Sequence, residues 1–552
     1  MADRSSTASP RCGRSAWRAR SISSYSSSPR TFFSGSTVRA PPFLCKIHIH
    51  CIIHNIYQSV IRSPVSSNKE SSRTPSPRLV ITALAFCGIV VSLMQTLIIP
   101  LIPELPKFLH ASATDASWAV TATLVAGAVV TPISGRLGDM FGKRRILILS
   151  LLAMVAGSVV CGLSDSLTLI VIGRALQGLA MGAIPLGISI MRDELPPRQV
   201  GPAIATMSAT MGVGGAIGIP LSAFIAQNAN WHMLFWVAAA LGLVCAILVG
   251  LVLPESPVST PGRFDGVGAA GLAVGLVALL VPVTKGSEWG WGSALTIGLF
   301  ATSVVVLLLW GVYQLRTRNA LVDLRVSARP RVLLTNLSSI MIGFAMYGMS
   351  LIFIQLLMAP AATGYGLGQS MVQAGLALAP GGLVMMALSP VSARLSARRG
   401  PKVTLITGAL VIAAGYVVAL VLNGAVWEII LASMVISAGL GLAFAAMPAL
   451  IMGAVPITET AAANGLNSLM RAIGTSSSAA VISVVLASMT MQLGPVALPT
   501  MAAFRITFII AIGAAAASAL LAAFIPVGRA AGEHSAQTPS TTPAARQAAP
   551  VA

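Results

Sequence analysis

Between Leu79 and Pro526 the chain alternates long apolar runs with short polar connectors. An α-helix needs about 20 consecutive apolar residues to cross a bilayer, and fourteen runs come close to that length. The runs are 79–103, 115–136, 146–163, 167–190, 200–226, 233–253, 264–284, 293–315, 332–358, 369–395, 402–422, 426–455, 463–489 and 504–526. Because such short connectors leave no room for a soluble domain, the pattern predicts an all-α polytopic membrane protein with fourteen transmembrane helices.

The two ends of the chain differ from the apolar part. Residues 1–77 are rich in Ser, Arg and Pro and have no sustained apolar period, which predicts a disordered basic extension. The same composition is typical of an organelle transit peptide. Translation from a downstream non-Met codon is a third interpretation, because no Met occurs between Met1 and Met94. Residues 528–552 are rich in Ala, Pro and Thr and are predicted to form a disordered tail.

Composition and charge exclude several classes of protein. Of the 552 residues, 55% are hydrophobic and 9% are charged, whereas a soluble domain carries about 25% charged residues. The net charge is +20, yet the basic residues lie mainly in the extension and in short loops, so no nucleic-acid partner is expected. The segment from Cys45 to His54 has no recognised zinc spacing, and no metal or cofactor is predicted. ATP-driven transport is not expected either, because the sequence has no phosphate-binding loop.

The basic residues also predict the orientation in the membrane. Sixteen Lys and Arg residues lie in loops that follow even-numbered runs, whereas Lys107, Lys285 and Arg505 lie in the opposite loops. Loops rich in Lys and Arg stay in the cytoplasm. The asymmetry therefore predicts that both termini of this multi-pass protein of the cell membrane are cytoplasmic.

Two sequence repeats indicate an internal duplication. The segment Pro132–Leu137 at the end of run 2 recurs as Pro390–Leu395 at the end of run 10. Similarly, Gly178–Pro185 in run 4 recurs as Gly441–Pro448 in run 12. The repeats predict two pseudo-symmetric six-helix halves, residues 78–255 and 326–527, with two inserted helices and a linker at 256–325. Duplicated halves are typical of transporters, whose site lies between the halves.

The turn between runs 2 and 3 carries the most specific motif, which reads GRLGDMFGKRR. Its glycines permit a tight turn, and its carboxylate can pair with a cation or cap a neighbouring helix. The motif is therefore interpreted as a conformational latch; alternatively, its Lys and Arg residues only fix the topology. The candidate latch residues are Gly135, Arg136, Asp139, Gly142, Lys143 and Arg144.

This motif resembles the helix 2–3 signature of the major facilitator superfamily, G-x-L-x-D-x-x-G-[RK]-[RK]. With fourteen predicted spans, residues 79–526 look like the drug/proton antiporter branch of that superfamily. The resemblance implies alternating access between two six-helix halves. The second half has only a decayed copy of the motif, in which Ala397 replaces Asp139. The latch in the first half is thus expected to be the stronger one.

Two further motifs carry the resemblance. Arg174 and Gln177 fit an R-x-x-Q-G motif in run 4, and the resemblance implies a role in proton transfer for Arg174; the alternative is that Arg174 snorkels to an interface. In run 5, Gly214, Gly218 and Pro220 resemble the antiporter motif of exporters. This resemblance favours export, although Ile219 stands where the family has Pro. Close helix packing without a directional role is the alternative.

The proton carrier usual for the family is missing, because Met94 occupies its position in run 1. The nearest candidate is Glu104 at the end of run 1, with Arg174 as its partner, and Asp115 is a weaker one. Burial would raise the pKa of such a carboxyl toward neutrality. Residues that suit a cavity for large apolar ligands lie on the central runs. They are Met94, Gln95, Gln177, Tyr347, Phe353 and Gln355.

Together these features predict a secondary active transporter without enzymatic activity. It would export amphiphilic drugs or other small organic compounds, cationic or neutral, in exchange for protons. The expected partners are the substrate, protons and the lipid bilayer, and the expected functional unit is a monomer. A facilitator or importer of one metabolite is an alternative, and so is a membrane sensor or scaffold that transports nothing.

Overall fold

A computed structural model describes residues 76–98, 101, 105–256, 262–493 and 496–526. The tail at 528–552, the Cys/His segment and all but the last two residues of the extension lie outside the described residues, as does Glu104. Ser76 and Pro77, predicted to be disordered, instead start the first helix, because the Ser76 hydroxyl accepts a hydrogen bond from the Leu79 amide.

Fourteen described helices are long and apolar enough to cross a membrane, which confirms the predicted polytopic all-α fold. They are α1 (Pro77–Thr96), α2 (Trp118–Phe141), α3 (Lys143–Gly162), α4 (Leu167–Glu194), α5 (Pro197–Asn228), α6 (Met233–Val252), α7 (Gly266–Trp289), α8 (Ala294–Arg316), α9 (Pro330–Met358), α10 (Met371–Arg399), α11 (Pro401–Val421), α12 (Val426–Met452), α13 (Thr460–Ser488) and α14 (Met501–Ala523). Short helical turns lie between them at Leu105–Phe108, Ala113–Ala116, Leu324–Ser327, Ala361–Thr363 and Ile457–Glu459.

Some predicted boundaries are wrong. The helix α1 ends at Thr96, and Asp115 lies on a separate short helix before α2. Between α13 and α14 the chain forms an antiparallel hairpin of β1 (Thr490–Leu493) and β2 (Val496–Pro499). The hairpin lies in the connector between runs 13 and 14, where the hydrophobic pattern predicts no strand. Within α10, the helix is interrupted at Leu388, just before Ser389 and Pro390. Proline disfavours the helical conformation in the residue before it and cannot donate a backbone hydrogen bond.

Each half has its own apolar core. Side chains from helices α1 through α6 form one buried cluster, and side chains from helices α9 through α14 form a second. The inserted helix α7 packs against α2 and α13, where a third cluster forms. Its partner α8 covers α7, and its outer face carries strongly exposed side chains such as Leu308 and Leu309. A bilayer would cover this face.

Two seams hold the halves together. At the first, α2 packs along α13; at the second, α5 packs along α10. Both need small residues: a Cβ on Gly465 of α13 would lie 2.6 Å from the Thr131 carbonyl oxygen of α2, and a Cβ on Gly382 of α10 would collide with the main chain of Gly212 in α5. Close backbone approach of this kind is typical of helix packing in membranes. The halves are thus in direct contact along both seams.

Candidate functional site

The turn between α2 and α3 lies where the first half meets the second. Gly142 forms this turn with a φ of +104°, a conformation that glycine adopts without strain. The turn aims the Asp139 carboxylate at the first turn of α13, where it accepts hydrogen bonds from the amides of Ala461 (3.3 Å) and Ala462 (2.9 Å). The amino end of a helix carries partial positive charge and unpaired N–H groups. A carboxylate of the first half therefore binds a helix end of the second.

Lys143 connects Asp139 to a second carboxylate. Its Nζ lies 3.5 Å from Asp139 Oδ1 and 2.5 Å from Asp193 Oδ2, and all three side chains are inaccessible to solvent. Ser256 also donates a hydrogen bond to Asp193 at 2.6 Å. Sequence reasoning missed Asp193, although it is one of two acids at the end of α4. Lys143 thus holds two buried carboxylates together, and removing it would leave both without their cation.

The end of the helix bundle that carries the α2–α3 turn is called here the basic end. Other charged groups at this end make further contacts around Asp139 and Lys143. Arg192 donates to the Thr460 hydroxyl of the second half at 2.6 Å. Arg145 lies 3.5 Å from Glu255, and Arg144 donates to the Gly250 carbonyl oxygen. Burial raises the pKa of Glu255, and the nearby arginines oppose that shift.

Gly135 and Arg136, the other two predicted latch residues, make contacts different from those of Asp139 and Lys143. Gly135 lies against the main chain of Ala461, so it allows α2 and α13 to approach. Arg136 is 9% exposed and lines a polar cavity beside the 314–327 segment, together with Arg316, Arg318 and Arg325. The structure therefore does not bring Arg136 into the Asp139–Lys143 network.

Arg174 is buried within the first half. Its Nε donates to the Ala119 carbonyl oxygen at 3.1 Å, and its Nη1 donates to Gln177 Oε1 at 2.7 Å. Gln177 in turn donates to the Ser158 hydroxyl at 2.8 Å. Arg174 is 2% exposed, so it does not snorkel to an interface. Its role in proton transfer stays a prediction, because none of these partners exchanges a proton near neutral pH.

The glycine motif of α5 lies against α1. A Cβ on Gly214 would lie 2.6 Å from the Ser92 hydroxyl oxygen, and a Cβ on Gly218 would collide with the Thr96 hydroxyl oxygen. The Ser92 hydroxyl donates to the Met211 carbonyl oxygen at 2.9 Å, which ties the two helices together. Pro220 lies within the same helix. This geometry fits the packing alternative, and a directional role stays a prediction.

The predicted cavity residues do not share one cavity. Met94 borders a small apolar pocket beside Arg174, whereas Gln177 is hydrogen-bonded inside the first half. Phe353 is fully buried in the apolar core of the second half, where its ring meets Phe508 edge to face with 6.0 Å between the ring centres. The apolar sequence around it does not distinguish a core position from a cavity wall. The remaining predicted cavity residues are half-buried, and none of them lines the pocket between the halves that is described below. They are Gln95, Tyr347 and Gln355.

A pocket between the halves contains a charge that sequence reasoning missed. Helices α4, α5, α12 and α13 line it, and Arg471 of α13 borders it. The signal was available, because Arg471 stands near the middle of run 13, where a charge is costly. Among the described residues, no group of three His, Cys, Asp or Glu side chains could hold a metal ion.

Known proteins share this sequence pattern and fold. The sequence model of the Major Facilitator Superfamily matches residues 84–479, which is more than half of the chain. The chain belongs to this superfamily. This is a superfamily of transporters, and fourteen described helices are long and apolar enough to cross a membrane. The chain is therefore a multi-pass membrane protein of that superfamily.

Relatives in this superfamily include an uncharacterized MFS-type transporter of Mycobacterium tuberculosis, 32% identical over 55% of this chain and 43% of its own length. The tetracenomycin C resistance and export protein of Streptomyces glaucescens is 28% identical over 64% of this chain and 65% of its own length. The chain thus matches less than two thirds of either relative. The solved human organic anion transporter MFSD10 has a TM-score of 0.58 at 16% identity, covering 81% of this chain and 100% of its own, which shows the shared fold.

Proposed function

We propose that this transporter exports small amphiphilic organic compounds in exchange for protons. The two halves would rock about the pocket between them, so that the site opens to each side of the membrane in turn. The observation that carries the proposal is the bond from Asp139 to the amino end of α13. It joins the halves at the basic end, and it must break before that end can open.

Export requires a defined orientation. We propose that the basic end faces the cytoplasm, with both termini on that side of the cell membrane, since loops rich in Lys and Arg stay inside. In this orientation the described structure is closed to the cytoplasm along the α2–α13 seam. We further propose that the two halves and the inserted hairpin α7–α8 work as a monomer, because the pocket lies within one chain.

Efflux of drug-like compounds is supported by sequence. The relative from Streptomyces is named for resistance and export, and the glycine motif of α5 resembles that of exporters. The apolar walls of the pocket suit amphiphilic compounds, which bind mainly through apolar surface and a few polar groups.

Proton coupling needs a group that takes up and releases a proton. We propose Glu104 for this role, with Arg174 as its partner and Asp115 as the alternative. Asp115 is exposed and accepts a hydrogen bond from the Ser112 hydroxyl at 2.7 Å, so its surroundings resemble those of an ordinary surface carboxylate.

The test uses inverted membrane vesicles with an imposed inside-acid pH gradient. A panel of lipophilic dyes and antibiotics is added, and dissipation of the gradient is followed by fluorescence. We expect at least one compound to dissipate the gradient with the parent protein, and this effect to be lost with Glu104→Gln. The matched control is Asp165→Asn, which neutralises a carboxylate whose side chain is 76% exposed.

Each outcome has a distinct meaning. Unchanged dissipation with Glu104→Gln would keep proton antiport and move the proton site to Asp115. No dissipation by any compound, with protein well inserted in the membrane, would contradict proton-coupled export and favour a facilitator.

A further inference from the structure

Arg471 places a positive charge in the pocket between the halves. It lies near the middle of α13, and its guanidinium stacks over the Phe444 ring at 5.0 Å from the ring centre. The pocket brings together apolar side chains such as Ile184 and Phe444 with the polar side chains of Ser208 and Asn464. Arg471 is half-buried and borders this pocket. The pocket is nearly closed in this structure, so a ligand would enter when the halves separate and would then meet the guanidinium directly.

Among the described residues, Arg471 has no ion pair with an acidic side chain. Its Nη2 donates to the Ser468 hydroxyl at 3.2 Å, and no Asp or Glu is among the residues that line the pocket. An arginine has five N–H donors. In the described part of the chain, the structure gives this one a single hydrogen bond and a ring contact. Most of its capacity to bind an anion is therefore unused.

Two other cations on membrane-spanning helices have fuller sets of protein partners. Lys143 has two carboxylates within 3.5 Å. The Arg174 guanidinium binds a carbonyl and an amide oxygen, and it borders a pocket of apolar side chains within the first half. A charge in a membrane-spanning helix is costly unless it has a partner, and such a residue marks a functional site. Arg471 combines an incomplete set of protein partners with a position on the proposed transport path.

The rest of the pocket suits an amphiphilic ligand. Asn464 donates its amide to the Thr460 carbonyl oxygen at 3.0 Å, while its own buried oxygen Oδ1 has no hydrogen-bond partner among the described residues. That oxygen can accept a hydrogen bond from a ligand hydroxyl or amide. The apolar side chains can cover a hydrocarbon or aromatic body. The α13 side of the pocket thus offers a cation and an acceptor, and the other helices offer apolar surface.

We propose that the pocket selects compounds that carry a carboxylate or a similar anionic group on an apolar body, with Arg471 as the counter-ion. This inference rests on the proposed transport function and names its substrate class. It replaces the expectation of cationic or neutral substrates. A cationic compound would bring a second positive charge beside Arg471, and a neutral compound would leave the guanidinium unpaired.

The test measures binding, so it does not depend on proton coupling. The full chain is purified into nanodiscs, and two fluorescent probes are titrated at pH 7.4: 1-pyrenebutyrate and its primary amide, which has the same body without the charge. Empty nanodiscs give the background. We expect the acid to bind at least about tenfold more tightly than the amide, which corresponds to about 1.4 kcal/mol.

Variants identify the group responsible. Arg471→Gln keeps a hydrogen-bond donor but removes the charge, and we expect the preference for the acid to vanish. Arg471→Lys is expected to retain part of the preference, because it keeps the charge. The control is Arg505→Gln, which makes the same change of charge at an exposed position of α14 and is expected to leave the ratio unchanged.

The outcomes separate this inference from the proposed function. Equal binding of the two probes by the parent protein, tighter binding of the amide, or binding of neither overturns the inference, even if the variants do not fold. So does an unchanged ratio in folded Arg471→Gln. Gradient dissipation by some other compound would still support antiport in those cases. Conversely, acid-selective binding lost in Arg471→Gln, with no gradient dissipation, would keep the anion site and contradict proton coupling.

Discussion

The turns α2–α3 and α10–α11 occupy equivalent places in the two halves, yet they make different contacts with the opposite half. Both turn at a glycine with positive φ, +104° at Gly142 and +87° at Gly400. In the first turn, Asp139 is buried and binds the opposite half. In the second, Ala397 stands at that position and is exposed. The shape of the turn therefore belongs to the duplicated fold, whereas the ionic latch belongs to one seam.

The same contrast extends to the two seams. The α2–α13 seam combines close backbone packing with a buried charge network. The α5–α10 seam has the close packing, at Gly212 and Gly382, but the second turn offers it no carboxylate. Opening the basic end would thus require breaking ionic contacts on one side and only separating packed surfaces on the other. Four experiments would break or sharpen this comparison.

The largest expected effect comes from removing the central cation of the network. Lys143→Met leaves Asp139 and Asp193 buried without their cation, which we expect to lower the free energy of unfolding by about 3–5 kcal/mol. The matched control is Lys402→Met at the second turn, a half-buried residue to which the described structure gives no ion pair. Thermal unfolding of both purified variants measures the difference. Equal destabilisation by both would contradict the comparison.

Neutralising the carboxylate should have the next largest effect. Asp139→Asn keeps the size of the side chain but weakens its bonds to the α13 amides, since charge-assisted hydrogen bonds are the stronger ones. We expect a loss of about 1–3 kcal/mol of stability and slower transport through poor closure of the basic end. Introducing Asn at the second turn, Ala397→Asn, should change neither quantity. Vesicle transport and thermal unfolding measure both.

The sequence predicted the helices better than the network, for physical reasons. A membrane span is a local property of about 20 residues, so all fourteen helices were found. The Asp139 carboxylate could be recognised as important, but its partners are main-chain amides more than 300 positions away, which no local pattern contains. Asp193 is next to Arg192 in the sequence, but only the fold brings its carboxylate to Lys143.

The same limit applies to the pocket. Arg471 was overlooked because the basic residues were weighed by loop, although its place within a span was a sufficient signal. Phe353 was assigned to a cavity because its helix was central, and only packing showed that it faces Phe508. Position along a helix could be predicted, whereas the direction of a side chain depended on neighbours distant in sequence.

We expect both seams to tolerate an added methyl group equally poorly, although only the α2–α13 seam has a buried charge network. Gly465→Ala would crowd the Thr131 carbonyl oxygen, and Gly382→Ala would crowd the main chain of Gly212. We expect each to cost about 1–3 kcal/mol in thermal unfolding. The control is Gly513→Ala in α14, where nothing lies within 4 Å of an added Cβ and the better helix propensity of Ala should be neutral or stabilising. A strong effect at one seam alone would show that packing, too, is unequal.

The smallest effect concerns the dependence of stability on pH at the first turn. Burial raises the pKa of Glu255 above its ordinary value of 4.5, and Arg145 opposes the shift. The folded protein holds the proton of the Glu255 carboxyl more tightly than the unfolded chain does. The protonated carboxyl therefore makes its full contribution to the free energy of unfolding below pH 4.5, and this contribution is lost as the pH rises through the pKa of the folded state. Glu255→Gln should remove this contribution, so that the Tm of the parent falls relative to that of the variant over that range. Parallel pH profiles for the two proteins would mean that Glu255 titrates as an ordinary surface acid, and the first turn would then differ from the second only through Asp139, Lys143 and Asp193.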